Sequence, residues 1–179
     1  VIDMKKGLVH IYTGDGKGKT TAAMGLAMRA SGNGYDVKIY QFCKNTPSGE
    51  LNALSKLPHV ELFRAENDCK KFTWDMNEQE KLAWTEAQQA LFDQACEAAC
   101  DPHCDLVILD EVMGAMHAGA VEPSQLRYLI SHKYRGTELV LTGRNAPAAI
   151  IEAADYVTEM RMVKHPYQQG IDARRGIEF

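Results

Sequence analysis

The chain has no uninterrupted apolar stretch long enough to cross a membrane and no signal peptide before its first predicted strand, so we expect a cytoplasmic protein. Its 179 residues carry a net charge of −4, which gives no general attraction for nucleic acid or acidic membranes. Internal repeats and low-complexity tracts are also missing. With 45% hydrophobic and 25% charged residues, the composition is that of a globular protein, and the length predicts one domain over residues 1–179.

Cysteine is scarce, and its odd count of five does not suggest a disulfide framework. Cys96, Cys100 and Cys104, with His103 beside the last, could be drawn as a set of metal ligands. However, Cys96 and Cys100 are one turn apart in an alanine-rich predicted helix, and Pro102 ends that helix before Cys104. We therefore interpret these cysteines as small, buried, reduced thiols rather than as a metal cluster.

A glycine-rich stretch, residues 13–21 (TGDGKGKTT), follows the first predicted strand and opens a helical pattern. A strand, a glycine-rich turn and a helix in this order are the context of a phosphate-binding P-loop. Glycines let backbone N–H groups converge on anionic oxygens, and the helix N-terminus adds partial positive charge. Lys19 would reach the phosphates, and the Thr20 hydroxyl would hold Mg²⁺. The loop is one residue short, because Thr13 stands where the first glycine is expected.

An apolar run ends in Asp110 and Glu111, as in a buried parallel strand with an acidic pair at its C-terminal tip. Beside a P-loop, one of these carboxylates is expected to bind Mg²⁺ near Thr20. Arg144 follows another predicted strand, residues 138–142, and could meet phosphate, although a lone arginine is more often a solvated charge. The predicted nucleotide-binding residues are Gly14, Asp15, Gly16, Lys17, Gly18, Lys19, Thr20, Thr21 and Arg144.

Strand and helix patterns alternate along the chain and predict an α/β fold, a three-layer P-loop (RecA-like) sandwich with a mainly parallel sheet. A long helix follows Asn77, which forms a capping-box pattern with Glu80. The other predicted strands span residues 35–42, 60–63, 106–109 and 156–160, and other helices span residues 51–57 and 147–154 or begin at Pro123. Phe72 and Trp74 lie in an irregular segment, and anchoring of that segment in the core is the simplest interpretation.

Several motifs, taken together, resemble one enzyme family over nearly the whole chain. They are residues 14–23 (GDGKGKTTAA), 41–44 (QFCK), 48–50 (SGE), 72–74 (FTW), 107–111 (VILDE), 142–144 (TGR), 154–155 (AD), 163–165 (VKH) and 176–177 (GI). The combination resembles the bacterial cob(I)alamin adenosyltransferases of the corrinoid type, and the shortened P-loop is itself a feature of that family.

The resemblance implies transfer of the 5′-deoxyadenosyl group of ATP to the cobalt of a reduced corrinoid, with release of triphosphate. ATP would lie reversed in the P-loop relative to ordinary nucleotidases, and Co(I) would attack C5′, so the protein need not supply a nucleophile. Its work would be orientation, exclusion of water and stabilisation of the leaving triphosphate. Residues 14–21 would bind the triphosphate, and Lys19 would neutralise its charge.

The family likeness also implies roles for residues outside the loop. Thr20 and Glu111 would be the magnesium ligands, and Asp110 would contact these ligands without binding the ion itself. Phe72 and Trp74 would cover the lower face of the corrinoid and displace its axial base, which replaces the core interpretation. A homodimer and a flavoprotein electron donor are further implications.

This sequence departs from the family pattern at three places. Asp15 stands where asparagine is common, Lys71 stands where glycine usually precedes the two aromatics, and residues 114–120 match poorly. Two other kinds of function compete with adenosyl transfer. A conventional P-loop kinase would pass the γ-phosphate to a hydroxyl and release ADP, and a non-catalytic protein would be a nucleotide-gated corrinoid carrier or a RecA-like DNA-binding module. The acidic balance weighs against DNA.

Overall fold

A computed structural model describes residues 6–44, 47–66 and 71–178. Within these residues, six strands form one sheet in the order β3-β2-β4-β5-β1-β6, and every neighbouring pair is parallel. The strands are β1 (Val9–Thr13), β2 (Val37–Gln41), β3 (Val60–Arg64), β4 (Leu106–Asp110), β5 (Glu138–Thr142) and β6 (Tyr156–Glu159). The predicted mainly parallel sheet is therefore confirmed.

Helices connect the strands and cover both faces of the sheet. They are α1 (Lys19–Gly32), α2 (Gly49–Leu54), α3 (Glu78–Cys100), α4 (Val112–His117), α5 (Pro123–His132) and α6 (Ala148–Glu152), with short 3₁₀ turns at Thr73–Asp75 and Pro166–Gln169. None of the helices in the described ranges is long and apolar enough to cross a membrane.

The core has two halves, one on each face of the sheet. On one face, α1 and α2 pack against strand residues that include Ile39 and Ile108. On the other face, α3, α4, α5 and α6 pack against strand residues that include Leu109 and Leu141. Because successive strand residues point to opposite faces, the central strand β4 must be apolar at nearly every position. This explains its continuous apolar run and confirms the predicted three layers.

Several predicted boundaries were wrong by a few residues, and local contacts explain the differences. Strand β2 begins at Val37 because the Tyr35 N–H donates to the Ala30 carbonyl and belongs to the turn after α1. Helix α2 spans Gly49–Leu54 rather than 51–57, and after Leu54 the N–H groups of Lys56 and Leu57 donate to carbonyls three residues back, as in turns, instead of four. Helix α4 was not predicted, since Gly114 in its middle weakens a helical pattern.

The amino terminus of α3 carries the predicted capping box. The Asn77 side chain accepts a hydrogen bond from the Glu80 N–H at 2.8 Å, and the Glu80 carboxylate accepts one from the Asn77 N–H at 2.9 Å. Both bonds satisfy N–H groups that have no partner within the helix. The start of this 23-residue helix is thus fixed by local chemistry.

Removal of the cap should cost stability without touching the core. We expect Asn77→Ala to lower the free energy of unfolding by about 1 kcal/mol, because one N–H of α3 loses its acceptor. Asn77→Asp keeps an oxygen acceptor and should retain most of the stability. Urea denaturation of the three proteins measures the difference, and equal stability of Asn77→Ala and the wild type would contradict this account.

Candidate functional site

The glycine-rich loop lies where the sequence predicts it, between the end of β1 at Thr13 and the start of α1 at Lys19. Gly18 precedes the helix with a φ of 119°, a left-handed conformation that favours glycine. The Lys19 side chain folds back over the loop, where its Nζ donates to the Gly16 carbonyl at 2.7 Å. The loop, the lysine and the N-terminus of a 14-residue helix therefore converge at one point.

The chain that follows β6 packs directly on this loop. The Gly16 N–H donates to the Met160 carbonyl at 2.7 Å, and a Cβ atom at Gly16 would lie only 2.6 Å from that oxygen. Gly14, with a φ of 105°, approaches the same carbonyl even more closely. Asp15 Oδ1 accepts from the Met162 N–H at 3.1 Å. An asparagine could make the same contact through its own Oδ1, so the departure at Asp15 leaves the loop contact intact.

Thr13 explains why the loop lacks its first glycine. Its hydroxyl oxygen accepts a hydrogen bond from the Ala146 N–H at 3.2 Å, and its carbonyl accepts one from the Met160 N–H at 2.8 Å. The residue is buried. Thr13 therefore joins the P-loop to the segments that follow β5 and β6, and glycine could not supply the hydroxyl.

Asp110 is fully buried at the end of β4, and four side chains surround its carboxylate. Oδ1 accepts from the hydroxyls of Thr20 and Thr142, each at 2.8 Å. Oδ2 accepts from Gln41 Nε2 at 3.2 Å and lies 3.0 Å from Lys44 Nζ. A buried carboxylate is stable only with such partners, and these partners link Asp110 to α1, β5, β2 and the loop after β2.

Glu111 follows Asp110 in a left-handed conformation, with a φ of 61° and a ψ of 24°. Its N–H donates to the Thr142 hydroxyl at 2.9 Å. Its Oε1 would lie 3.0 Å from a Cβ atom at Gly114, so glycine there leaves room for the carboxylate. Among the described residues, no side-chain or backbone donor hydrogen-bonds to this carboxylate. Burial raises the pKa of Glu111, and the negative charge of Asp110 raises it further.

Sequence reasoning placed Thr20 near the acidic pair but missed the other three side chains that surround Asp110. Lys44 and Gln41 belong to a recognised motif, but their sequence positions do not reveal contact with a residue more than sixty positions later. Gln41 Oε1 accepts from Arg64 Nε at 2.9 Å and from Arg64 Nη2 at 2.7 Å, which fixes the amide so that its NH₂ group faces Asp110. Lys44 Nζ is also 3.4 Å from Glu50 Oε1. A sequence pattern showing that β2 and β4 are neighbouring strands could have indicated these contacts.

Positive side chains cluster near the loop. Burial lowers the pKa of Lys19, and the Arg144 guanidinium lowers it further, while the carboxylates of Glu111, Asp15 and Asp110 act in the opposite direction. Arg144 itself is exposed in the loop after β5. A bound anion would favour the charged form of Lys19.

A cavity of about 300 Å³ opens beside the first turn of α1. Thr20 and Thr21 line it from the P-loop side, Lys44 and Glu50 line it from the segment after β2, and Ile177 lines it from the C-terminal segment. Lys17 lies outside this cavity, with Nζ 3.4 Å from Glu178 Oε1. The predicted loop residues are therefore together, but Thr20 and Lys19 interact with the acidic pair, whereas Lys17 pairs with Glu178.

Phe72 and Trp74 are not in the core, so the core interpretation is wrong. Their exposed fractions are 63% and 77%, and their rings stack with centroids 4.6 Å apart and an angle of 5° between the planes. Lys71, one of the residues at which this chain departs from the family pattern, pairs with Glu80 at 2.7 Å. A flat apolar surface is therefore open to solvent beside the N-terminus of α3.

The described cysteines do not gather into a group that could bind a metal. In the described ranges, no group of three or more histidine, cysteine, aspartate or glutamate side chains could hold a metal ion. The four described cysteines are free, but only Cys104 is buried, while Cys96 is partly buried and Cys100 is exposed. The prediction of buried thiols was therefore wrong for Cys100. Cys69 lies outside the described residues.

Comparison with known proteins shows the family to which this chain is similar. The family model for "ATP:corrinoid adenosyltransferase BtuR/CobO/CobP" matches residues 5–179. The Corrinoid adenosyltransferase CobA of Salmonella typhimurium is 35% identical over 176 residues, covering 98% of this chain and 87% of the relative. The Corrinoid adenosyltransferase of Pseudomonas aeruginosa is 34% identical over 177 residues, with 98% and 85% covered.

Solved structures support the fold alone. EssC (ATPases 2 and 3) from Geobacillus thermodenitrificans superposes with a TM-score of 0.52 at 16% identity, covering 95% of this chain and 35% of that one. That similarity agrees with a P-loop ATPase type of α/β sandwich. Because the family match extends over nearly the whole chain and the relatives are matched over most of their own length, this chain belongs to the ATP:corrinoid adenosyltransferase family.

Proposed function

We propose that residues 14–21 hold the triphosphate of ATP while this corrinoid adenosyltransferase transfers the 5′-deoxyadenosyl group to cobalt. The observation that carries the proposal is the hydrogen bond between Thr20 in the loop and Asp110 in the acidic pair. That bond supports the proposal, because it brings the glycine-rich loop into contact with the acidic pair. In the reaction, the electron pair of Co(I) forms a bond to C5′ as the bond from C5′ to the triphosphate oxygen breaks.

Lys19 is proposed as the main counter-charge for the departing triphosphate. Its ammonium lies over the loop, and its pKa is lowered by burial and by Arg144, so an anion arriving here would relieve unfavourable charge. Arg144 and Lys44 add positive charge from two other loops. Fixed positive groups in a partly buried site stabilise developing negative charge without having to reorganise.

The residues present fit Mg²⁺. Thr20 donates its hydroxyl proton to Asp110, which leaves the lone pairs of its oxygen for a cation. The Glu111 carboxylate accepts no hydrogen bond from the described residues, whereas Asp110 is engaged by four side chains. Oxygen ligands suit Mg²⁺, which usually binds through one or two protein groups together with substrate phosphates. Such a site needs no larger protein cluster.

We therefore assign Thr20 and Glu111 as the magnesium-holding residues and Asp110 as the group that orients Thr20. The ion would supply positive charge to the triphosphate oxygens. Lys44 lies 3.0 Å from Asp110 and is the positively charged member of the four side chains around this buried carboxylate. In this arrangement the chain itself binds, orients and partly neutralises the leaving group.

Phe72 and Trp74 are proposed to contact the corrinoid. Their stacked rings form an exposed flat surface, and such a surface suits contact with the face of a corrin macrocycle. They lie after β3, at the carboxyl end of the sheet, which is the end at which ligands bind in open parallel sheets. Displacement of the axial base by these rings would favour a four-coordinate Co(II) that is more readily reduced.

Family membership is the support for three further proposals. We propose a homodimer, a flavoprotein electron donor for the corrinoid and a cytoplasmic location. The edge strand β6 exposes Tyr156 and Val157, so apolar surface is available on this side of the protein.

Analysis of the products tests the reaction and the role of Lys19 together. Incubation with MgATP and chemically reduced corrinoid should yield adenosylated corrinoid and inorganic triphosphate, whereas ADP would indicate a kinase. Lys19→Ala should lower the rate by about 100-fold or more, because the principal counter-charge is lost. Lys17→Ala, in the same loop but paired with Glu178, should cause a much smaller loss. Similar losses in the two variants would refute the special role of Lys19.

The metal assignment predicts different effects for the two acids. Glu111→Gln should raise the Mg²⁺ concentration for half-maximal activity far more than Asp110→Asn, because Glu111 is the proposed direct ligand. Because its pKa is raised, Glu111 protonates at a higher pH than an exposed glutamate, so the Mg²⁺ affinity of the wild type should fall on mild acidification. Magnesium titrations at several pH values measure both effects. If Asp110→Asn is the more damaged variant, the two roles must be exchanged.

Substitution of Phe72 or Trp74 should slow the reaction that starts from Co(II) while changing the stability of the protein little. Because Phe72 and Trp74 are exposed, alanine at either position should change the free energy of unfolding by no more than about 0.5 kcal/mol. Trp84→Ala, in the buried face of α3, is the matched control and should cost about 3–5 kcal/mol. Adenosylation starting from Co(II) should slow strongly, and the reaction of pre-formed Co(I) should slow less. Equal losses from both cobalt states would argue against a corrinoid role.

A further inference from the structure

Thr142 connects both members of the acidic pair through a single hydroxyl group. It is the last residue of β5 and is fully buried. Its Oγ1 donates to Asp110 Oδ1 at 2.8 Å and accepts from the Glu111 N–H at 2.9 Å. An ionised carboxylate can only accept and a backbone N–H can only donate, so the direction of both bonds is determined.

The bond to Glu111 supports an unusual backbone. Glu111 is left-handed with a φ of 61°, a conformation that a residue other than glycine keeps only when its surroundings hold it there. Helix α4 begins at the next residue, Val112, so this conformation also sets where the helix starts. Thr142 holds the only N–H that Glu111 possesses and thereby fixes the turn that carries its carboxylate.

We propose that Thr142 is a positioning residue for the metal site, where it sets the Asp110 carboxylate and the Glu111 turn at the relative geometry that magnesium binding requires. The inference rests on the proposed roles of Thr20 and Glu111. Thr142 acts through its neighbours and does not itself touch metal or substrate. Groups that orient metal ligands in this way commonly contribute strongly to metal affinity.

Thr137 provides a matched control, because it directly precedes β5, the strand that ends at Thr142. It is also fully buried, and its hydroxyl donates to the Cys104 carbonyl at 2.9 Å. Thr137→Val therefore removes a buried hydroxyl and a buried hydrogen bond just before β5 begins, far from the carboxyl end of the sheet. A purely structural effect of losing a buried hydroxyl should be common to both positions.

The test measures ATP binding by calorimetry, in the absence of corrinoid, with Mg²⁺ and with a chelator. Thr142→Val should lower the affinity gained from Mg²⁺ by about 10-fold or more while leaving ATP binding in chelator nearly unchanged. Thr142→Ser keeps the hydroxyl and should restore the gain. Thr137→Val should lower the melting temperature but retain the wild-type gain from Mg²⁺.

A normal gain from Mg²⁺ in Thr142→Val, or an equal loss in Thr137→Val, would overturn the inference. Should the valine variant fail to fold, Thr142→Cys supplies the same comparison, since a thiol is similar in size but a weak hydrogen-bonding group. The Glu111→Gln variant, measured in parallel, distinguishes a failure of the metal assignment from a failure of the role of Thr142. If Glu111→Gln keeps the gain, the metal assignment itself fails; if it loses the gain and Thr142→Val does not, only the role of Thr142 fails.

Discussion

The hydrogen bond from the Thr20 hydroxyl to Asp110 joins the two halves of the site. It connects the first turn of α1 to the tip of β4, two elements that are 90 residues apart in sequence. Asp110 is fully buried, so its charge must be compensated locally, and the groups that compensate it come from four different parts of the fold. The loop, the acidic pair and the surrounding strand ends are therefore positioned by one buried carboxylate.

At this site, positive side chains face negative side chains, and neither sign is in excess. Lys19, Lys44 and Arg144 face Asp110, Glu111 and Glu50 within a small region at the carboxyl end of the sheet. Each positive group already has a carboxylate nearby, so the protein is stable before nucleotide arrives. At the proposed site, a triphosphate with one magnesium ion would bring a net negative charge, which these positive side chains would partly neutralise.

The sequence was most informative where chemistry depends on neighbours along the chain. The P-loop, the acidic pair after β4 and the Asn77 capping box each consist of residues a few positions apart, and all were predicted. Apart from Thr20, the partners of Asp110 were not predicted, because Thr142, Gln41 and Lys44 come from other strands and loops and carry no recognisable local pattern. Boundaries failed for a related reason: Tyr35 looks like a strand residue, but its N–H is taken by the turn after α1. The exposure of Phe72 and Trp74 likewise depends on where their segment lies against α3.

The contact between Gly16 and Met160 links the glycine-rich loop to the edge of the sheet. An amide that already donates to a protein carbonyl has no proton left for a phosphate oxygen, so the anion nest of this loop is smaller by one donor than its glycine content suggests. Met160 directly follows β6, the outermost strand, which pairs on one side only with β1. Fraying of that strand would release the Gly16 amide, and a ligand that captures it would in turn oppose re-pairing of the edge. At the proposed triphosphate site, nucleotide binding and the pairing of β6 with β1 would therefore be coupled.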